Sequence, residues 1–313
     1  ISFNNMKAIM YHYIRRYDPK FPFFRYLNFE NFKKQLDFFE DRYGFVSLQD
    51  WKNYILINKN SEPPKGVILT FDDSVSCHYD FVFNELVKRG LWGIFYVPTQ
   101  PYSDQKMLDV HRIHLLIGSN DSKKLISLLN NLVSEDMIPD KKREEFDENT
   151  YLNQKNSQNI LLFKKTLNYF ISYEYREKVL DELAKLLNLE SLVKSFYISE
   201  KNIVKMNDSG MIIGSHTVSH PVMSKLDFGT QKLEISKSFD FLESICNIDH
   251  RTYSHPYGHA HTYNENTVKI LNNYNVAYSF SVKSEDLRYK LEPEDIQKLP
   301  RYDCNEFKYG KTS

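Results

Sequence analysis

Two adjacent carboxylates, Asp72 and Asp73, and two histidines four residues apart, His216 and His220, are the side chains of this sequence best suited to do chemistry together. Each pair follows a run with strand character. Val67-Ile68-Leu69-Thr70-Phe71 leads into Asp72-Asp73-Ser74, and Met211-Ile212-Ile213-Gly214 leads into Ser215-His216-Thr217-Val218-Ser219-His220-Pro221. Imidazoles at i and i+4 in a helix or tight turn lie on one side of the chain, where they can grip one metal ion. Such a pair also arises by chance, and a turn ahead of a proline can be purely structural. A third ligand separates the two cases, and Asp73 is the natural one. One Asp with two His leaves positions open for water, as a catalytic metal site requires. Asp72 is then left for a different role. Beside a dication it stays ionised and can take a proton from an activated water. The plainer alternative is a helix cap, with Asp or Ser satisfying unpaired N–H groups of the helix that follows.

These residues need a scaffold that brings strand ends to one edge. Lys7 to Tyr13 reads as a first strand with His12 near its end, and Asn28 can cap a helix from Phe29 to Tyr43. A short strand is expected at Phe45–Leu48 and a helix at Gln49–Ile57. Tyr79 to Arg89 reads as a helix closed by Gly90, and Leu91 to Val97 as a strand stopped by Pro98 and Pro101. After residue 197 the alternation returns. Helices are expected at Glu200–Met206, Thr230–Cys246 and Asn264–Tyr274, and strands at Met211–Gly214, Arg251–His255 and Val276–Val282. Such spacing implies parallel βα units, whose ligands gather at the carboxyl ends of the strands. Residues 102–197 show helical patterns and no convincing strand, with Lys141–Gln158 read as a polar loop. This helical insertion interrupts a domain made of residues 1–101 and 198–313. Its length suits a lid or substrate wall, or equally a structural brace.

Composition narrows the function. Lys+Arg and Asp+Glu both number 41, so neither nucleic acid nor an anionic membrane is indicated as a partner. The aromatic fraction is 15%, with 22 Tyr and 22 Phe; most belong to a core, and some suit stacking against sugar rings. Cys77, Cys246 and Cys304 cannot all pair and have no metal-knuckle spacing, which favours a reducing compartment. No run approaches a membrane span and the opening residues show no signal peptide, so a cytoplasmic location is expected.

Thr-Phe-Asp-Asp-Ser at 70–74, His-Thr-Val-Ser-His at 216–220 and Pro-Tyr-Gly at 256–258 occur in that order after successive strands. Together they resemble the polysaccharide deacetylase (NodB-homology, carbohydrate esterase family 4) family. The early Met-Tyr-His-Tyr is similar to the branch that deacetylates bacterial exopolysaccharide. The resemblance implies an α/β fold, a distorted (β/α) barrel with about seven parallel strands, and hydrolysis of N-acetyl groups on a sugar or glycan. It implies one divalent metal, zinc first, with cobalt, nickel or iron as alternatives, held by Asp73, His216 and His220. Asp72 becomes the general base. The Pro256–Tyr257 turn serves the oxyanion through the Tyr257 N–H, with His255 beside it against substrate or solvent. The family pattern has Arg two residues before that proline; here Ser254 stands there, and Arg301 is the candidate replacement supporting the base. No histidine follows His261 to protonate the leaving amine, which points to His12. His111 and His114 are read as structural. Two other readings remain: a deacylase or deformylase of another acylated sugar, and a catalytically silent carbohydrate-binding relative. Retention of Asp72 and the three ligands argues against the second.

Overall fold

The computed structural model describes residues 5–59, 61–151, 156–186, 192–287, 291 and 293–312. The chain divides into two compact units. The first holds residues 1–16, 26–106 and 194–313; the second holds 17–25 and 107–193.

The first unit is built on a seven-stranded sheet in which every described pairing is parallel. In chain order its strands are β1 (Met6–Tyr11), β4 (Gly66–Phe71), β5 (Ile94–Val97), β6 (Ile212–Ser215), β7 (Thr252–Ser254), β8 (Tyr278–Phe280) and β9 (Tyr302–Asp303). Two short strands between the first two of these, β2 (Ile14–Arg15) and β3 (Leu27–Asn28), pair separately. The spatial order is β8-β7-β6-β5-β4-β1-β9, so the fold is the expected α/β one, a curled, distorted barrel.

β1 and β4 are buried along their whole length, as strands covered on both faces must be. Period-two alternation divides their residues between two apolar clusters. Ile9, Tyr11, Val67, Leu69, Phe71, Phe95, Val97 and Ile213 pack on Phe32, Leu36, Phe39 and Leu242. Met6, Ala8, Ile68, Ile94, Tyr96 and Ile212 pack on Trp51, Tyr278, Phe280 and Leu299. The first cluster carries a stacked ladder across three strands, Tyr11–Phe71 at 5.3 Å and Phe71–Phe95 at 4.7 Å between ring centroids. These rings lock the register of β1, β4 and β5 just before their carboxyl ends. The register pairs Tyr11 with Phe71, so the residues following each, His12 and Asp72, emerge at the same edge.

Two local expectations are corrected. Phe45–Leu48 is not a strand: Phe45 makes a single bridge to Val67, and Ser47 caps the helix Leu48–Lys52 by accepting from Asp50 N. The described residues of the polar stretch 141–158 are helical rather than loop: a helix runs Asp140–Tyr151 and another starts at Asn156, and residues 152–155 lie outside the described residues. A helix without an apolar stripe leaves no periodic signal in the sequence.

In the second unit, Leu162, Phe163, Leu167, Phe170, Leu180 and Leu183 are buried. Arg176 Nη1 donates to Asp109 Oδ2 at 2.7 Å. Residues 17–25 are held to it by Phe23 N donating to Gly118 O at 2.9 Å. A Cβ at Gly118 would lie 2.6 Å from the Phe24 ring, so only glycine permits that approach.

Candidate active site

The site forms where β4, β6 and β7 end. Alternation along β4 puts Asp72 on the face of Ile68 and Thr70. The strand then breaks, because Asp73 and Ser74 adopt left-handed φ of 81° and 52°. Aspartate tolerates that region better than bulkier residues. The break gives the two neighbouring carboxylates different surroundings.

Asp72 is 2% exposed and Arg301 is fully buried. Arg301 Nη1 donates to Asp72 Oδ1 at 2.9 Å and Nη2 donates to Oδ2 at 2.8 Å, a bidentate fork. The same guanidinium donates to Thr70 Oγ1 at 3.0 Å, to Ser254 Oγ at 2.8 Å and to Ser281 O at 3.2 Å, so every nitrogen has a partner. Ser254 Oγ in turn donates to Asp72 Oδ2 at 3.3 Å. Burial alone would raise the Asp72 pKa, but the charge and hydrogen bonds of Arg301 outweigh it, and the carboxyl is held below its ordinary value. Asp72 is thus an ionised, immobilised carboxylate.

Asp73, His216 and His220 converge beside it. His216 Nε2 lies 3.5 Å and His220 Nε2 3.7 Å from Asp73 Oδ1, and one ligand atom from each residue lies within 4.8 Å of the others. Among the described residues no other group of three or more possible ligands converges this way. His216 extends the β6 ladder, with its N–H donating to Val97 O at 3.0 Å. Its Nδ1 lies 2.8 Å from Ser254 O. A carbonyl only accepts, so Nδ1 carries the proton and Nε2 presents its lone pair toward Asp73. Burial lowers the His216 pKa against the pull of Asp72 and Asp73, which keeps the ring neutral. The donor set fits a divalent ion. Tetrahedral zinc with bonds of about 2.0–2.2 Å needs ligand atoms roughly 3.3–3.6 Å apart, and the separations from Asp73 Oδ1 are close to that without rearrangement.

Tyr257 follows β7 with a left-handed φ of 61°. Its ring centroid is 4.7 Å from that of His220, and its side chain is 40% exposed. Pro256 before it is buried. Gly258 after it has φ 70° and accepts from Val282 N at 2.8 Å. A Cβ there would meet Val282 at 2.4 Å, so the turn needs glycine on both counts. His12 stands at the same edge and is half-buried. Asp72 N donates to Tyr11 O at 3.0 Å, and a charge on His12 helps hold the Asp72 carboxyl down. The carbonyl of His12 accepts from Nε2 of His78, a core histidine whose pKa burial lowers to about 4.

His255 is corrected. Rather than lining a groove or facing solvent, it is 1% exposed and stacked on Tyr263 at 3.9 Å, with Nε2 donating to Gln297 O at 2.7 Å. Burial pushes its pKa down to about 3, so it is neutral near pH 7, and its one N–H is engaged by the Gln297 carbonyl, which leaves no acidic proton for a leaving group. His259 and His261 are exposed and stacked on each other at 5.9 Å. His111 lies buried in the second unit. Sequence reasoning missed Thr70 as a partner of Arg301, and noticed Ser254 only as a missing arginine. Ser254 serves both halves of the site, its carbonyl on His216 and its hydroxyl between Arg301 and Asp72.

The polysaccharide deacetylase family model matches residues 173–279, a span that includes His216, His220 and the Pro256–Tyr257 turn. Solved structures similar to this chain bear the same kind of name. Streptococcus pyogenes deacetylase PplD, solved in complex with acetate, has a TM-score of 0.56 at 17% identity over 96% of this chain and 92% of that one. IcaB from Ammonifex degensii has a TM-score of 0.53 at 16% identity, covering 96% and 91%. The BpsB deacetylase domain from Bordetella bronchiseptica has a TM-score of 0.53 at 11% identity, covering 96% of both. At these identities the likeness to the deacetylase structures is one of fold. None of the curated proteins matches the sequence. Among the described residues no helix is long and apolar enough to cross a membrane, and the three cysteines form no disulfide.

Proposed function

We propose that this chain is a metal-dependent carbohydrate N-deacetylase acting on an acetylated sugar or glycan. The observation that carries the reading is the division of labour between two adjacent carboxylates. Asp73 points to two imidazole Nε2 atoms at 3.5 and 3.7 Å, while Asp72 is gripped by Arg301. A catalytically silent binding module has no need to keep a buried carboxylate ionised beside a set of metal donors.

Asp73, His216 and His220 would hold the ion. When bound, zinc (or cobalt, nickel or iron) supplies Lewis acidity toward the acetyl carbonyl and the attacking water. Asp72 takes the proton of that water as general base. Arg301 keeps Asp72 charged and aims it, a positioning role. The Tyr257 backbone N–H supports the oxygen on which negative charge develops. An amide anion is too basic to leave, so His12 gives a proton to the departing amine.

The test is release of acetate from a panel of N-acetylated oligosaccharides, set beside N-formylated sugars. Acetate release with glycan preference is expected. Formate release alone would move the chain to the deformylase reading. The acid is tested separately: His12→Ala should slow amide hydrolysis by about 10²-fold and an activated acetyl ester far less, with metal content unchanged. Equal slowing of both substrates would remove His12 from that role.

A further inference from the structure

We infer that Glu234 is a positioning residue for the histidine pair: from the helix Phe228–Ile245 it holds the 216–220 turn so that both imidazoles face Asp73. The inference rests on the metal reading above. Glu234 Oε2 accepts from Val218 N and from Ser219 N, each at 2.9 Å, and Oε1 accepts from Ser219 Oγ at 2.7 Å. All three donors belong to the short segment between the two ligands. Two consecutive backbone N–H groups converging on one carboxylate oxygen make a small anion nest, and its charge-assisted bonds are stronger than neutral ones.

The turn needs such a hold. Thr217 and His220 both have left-handed φ, 68° and 57°. For a β-branched threonine that is an outlier, and such backbone strain persists only where surroundings over-determine the conformation. Some ties are internal and move with the turn: His220 N donates to Thr217 Oγ1 at 3.0 Å and Thr217 N to Ser215 Oγ at 3.2 Å. From outside, Thr99 N and Gln100 N donate to the carbonyls of Thr217 and Val218 at 3.1 and 2.9 Å. These engage the carbonyl side of the segment; Glu234 engages its N–H side. The helix carrying Glu234 is itself fixed, with Ile235, Phe239 and Leu242 buried and Ser238 Oγ 2.5 Å from Ser215 Oγ at the end of β6. The distance from anchor to turn is therefore set by the core.

A merely structural Glu234 would affect the stability of the metal-free chain. A positioning Glu234 affects metal affinity per folded molecule. The 313-residue chain, stripped of metal, is titrated with Co²⁺ and followed by its visible absorption, for wild type, Glu234→Gln and Glu234→Ala, with thermal unfolding of each metal-free protein alongside. Glu234→Gln keeps the shape and one acceptor oxygen, and should bind Co²⁺ about tenfold more weakly; Glu234→Ala should lose about 10–100-fold and show an altered absorption envelope. Glu234→Gln with wild-type Co²⁺ affinity and spectrum overturns the inference, whatever its melting temperature, and decides the matter if Glu234→Ala does not fold. A wild-type chain that takes up no Co²⁺ overturns the metal reading itself, and this inference with it.

Discussion

Asp72→Asn is expected to lower kcat by about two to four orders of magnitude, the usual worth of a general base, while metal content stays at the wild-type level. The substitution is nearly isosteric, and Asn retains a carbonyl oxygen for Arg301. What it removes is the capacity to accept a proton. It also leaves the guanidinium of Arg301 buried without its counter-charge, and breaking one side of a buried pair costs about 3–5 kcal/mol in many proteins. A fall in melting temperature should therefore accompany the fall in turnover, and kcat has to be referred to folded enzyme. Near-wild-type turnover at full metal content would remove Asp72 from the chemistry and leave the Arg301 fork as a structural brace.

His216→Ala and His220→Ala are each expected to lose bound metal and to reduce acetate release to background. Three protein ligands is the usual complement of a catalytic zinc site, so two donors should not retain the ion. The two variants differ in their structural consequences. His216 also donates to Ser254 O, whose residue braces Asp72 and Arg301, so its loss reaches the base as well. The His220 ring packs on the His216 ring at 4.8 Å and on Tyr257 at 4.7 Å, so its loss reaches the oxyanion turn. Visible absorption of the Co²⁺-loaded proteins checks the first effect and an acetate assay the second. A variant that keeps both signals would show that the ion, if any, sits elsewhere.

Much of the scaffold around these residues was legible in the sequence because it depends on local signals. Val67–Phe71 is a short run of strand-favouring residues, apolar but for Thr70, between a Pro-Pro loop and two carboxylates, and a buried strand suits it best. Asn28 capping Phe29 and the Phe32, Leu36, Phe39 spacing specify a helix at its start and along its face. The parts that escaped depend on tertiary placement. β9 is two residues long and pairs with β1 from almost three hundred positions away, so nothing in Tyr302-Asp303 announces a strand. Arg301 is already the candidate support of the base in the sequence, but its two-pronged fork onto Asp72 follows from this late return of the chain, which no spacing encodes. Glu234 reads as one more charge on an amphipathic helix, since its partners come from another loop. His255 misleads because its neighbours in sequence are a reaction turn, whereas its neighbours in space are Tyr253, Tyr263 and Gln297. Residues 17–25 joining the helical unit is likewise a matter of one close approach at Gly118.

Metal analysis of the purified chain, coupled to acetate release from an N-acetylated oligosaccharide, tests the central claim most directly. The account predicts about one divalent ion per wild-type chain, little in His216→Ala, and acetate release that disappears on chelation and returns with Zn²⁺ or Co²⁺. A thoroughly chelated wild-type chain that still releases acetate at its original rate would contradict it.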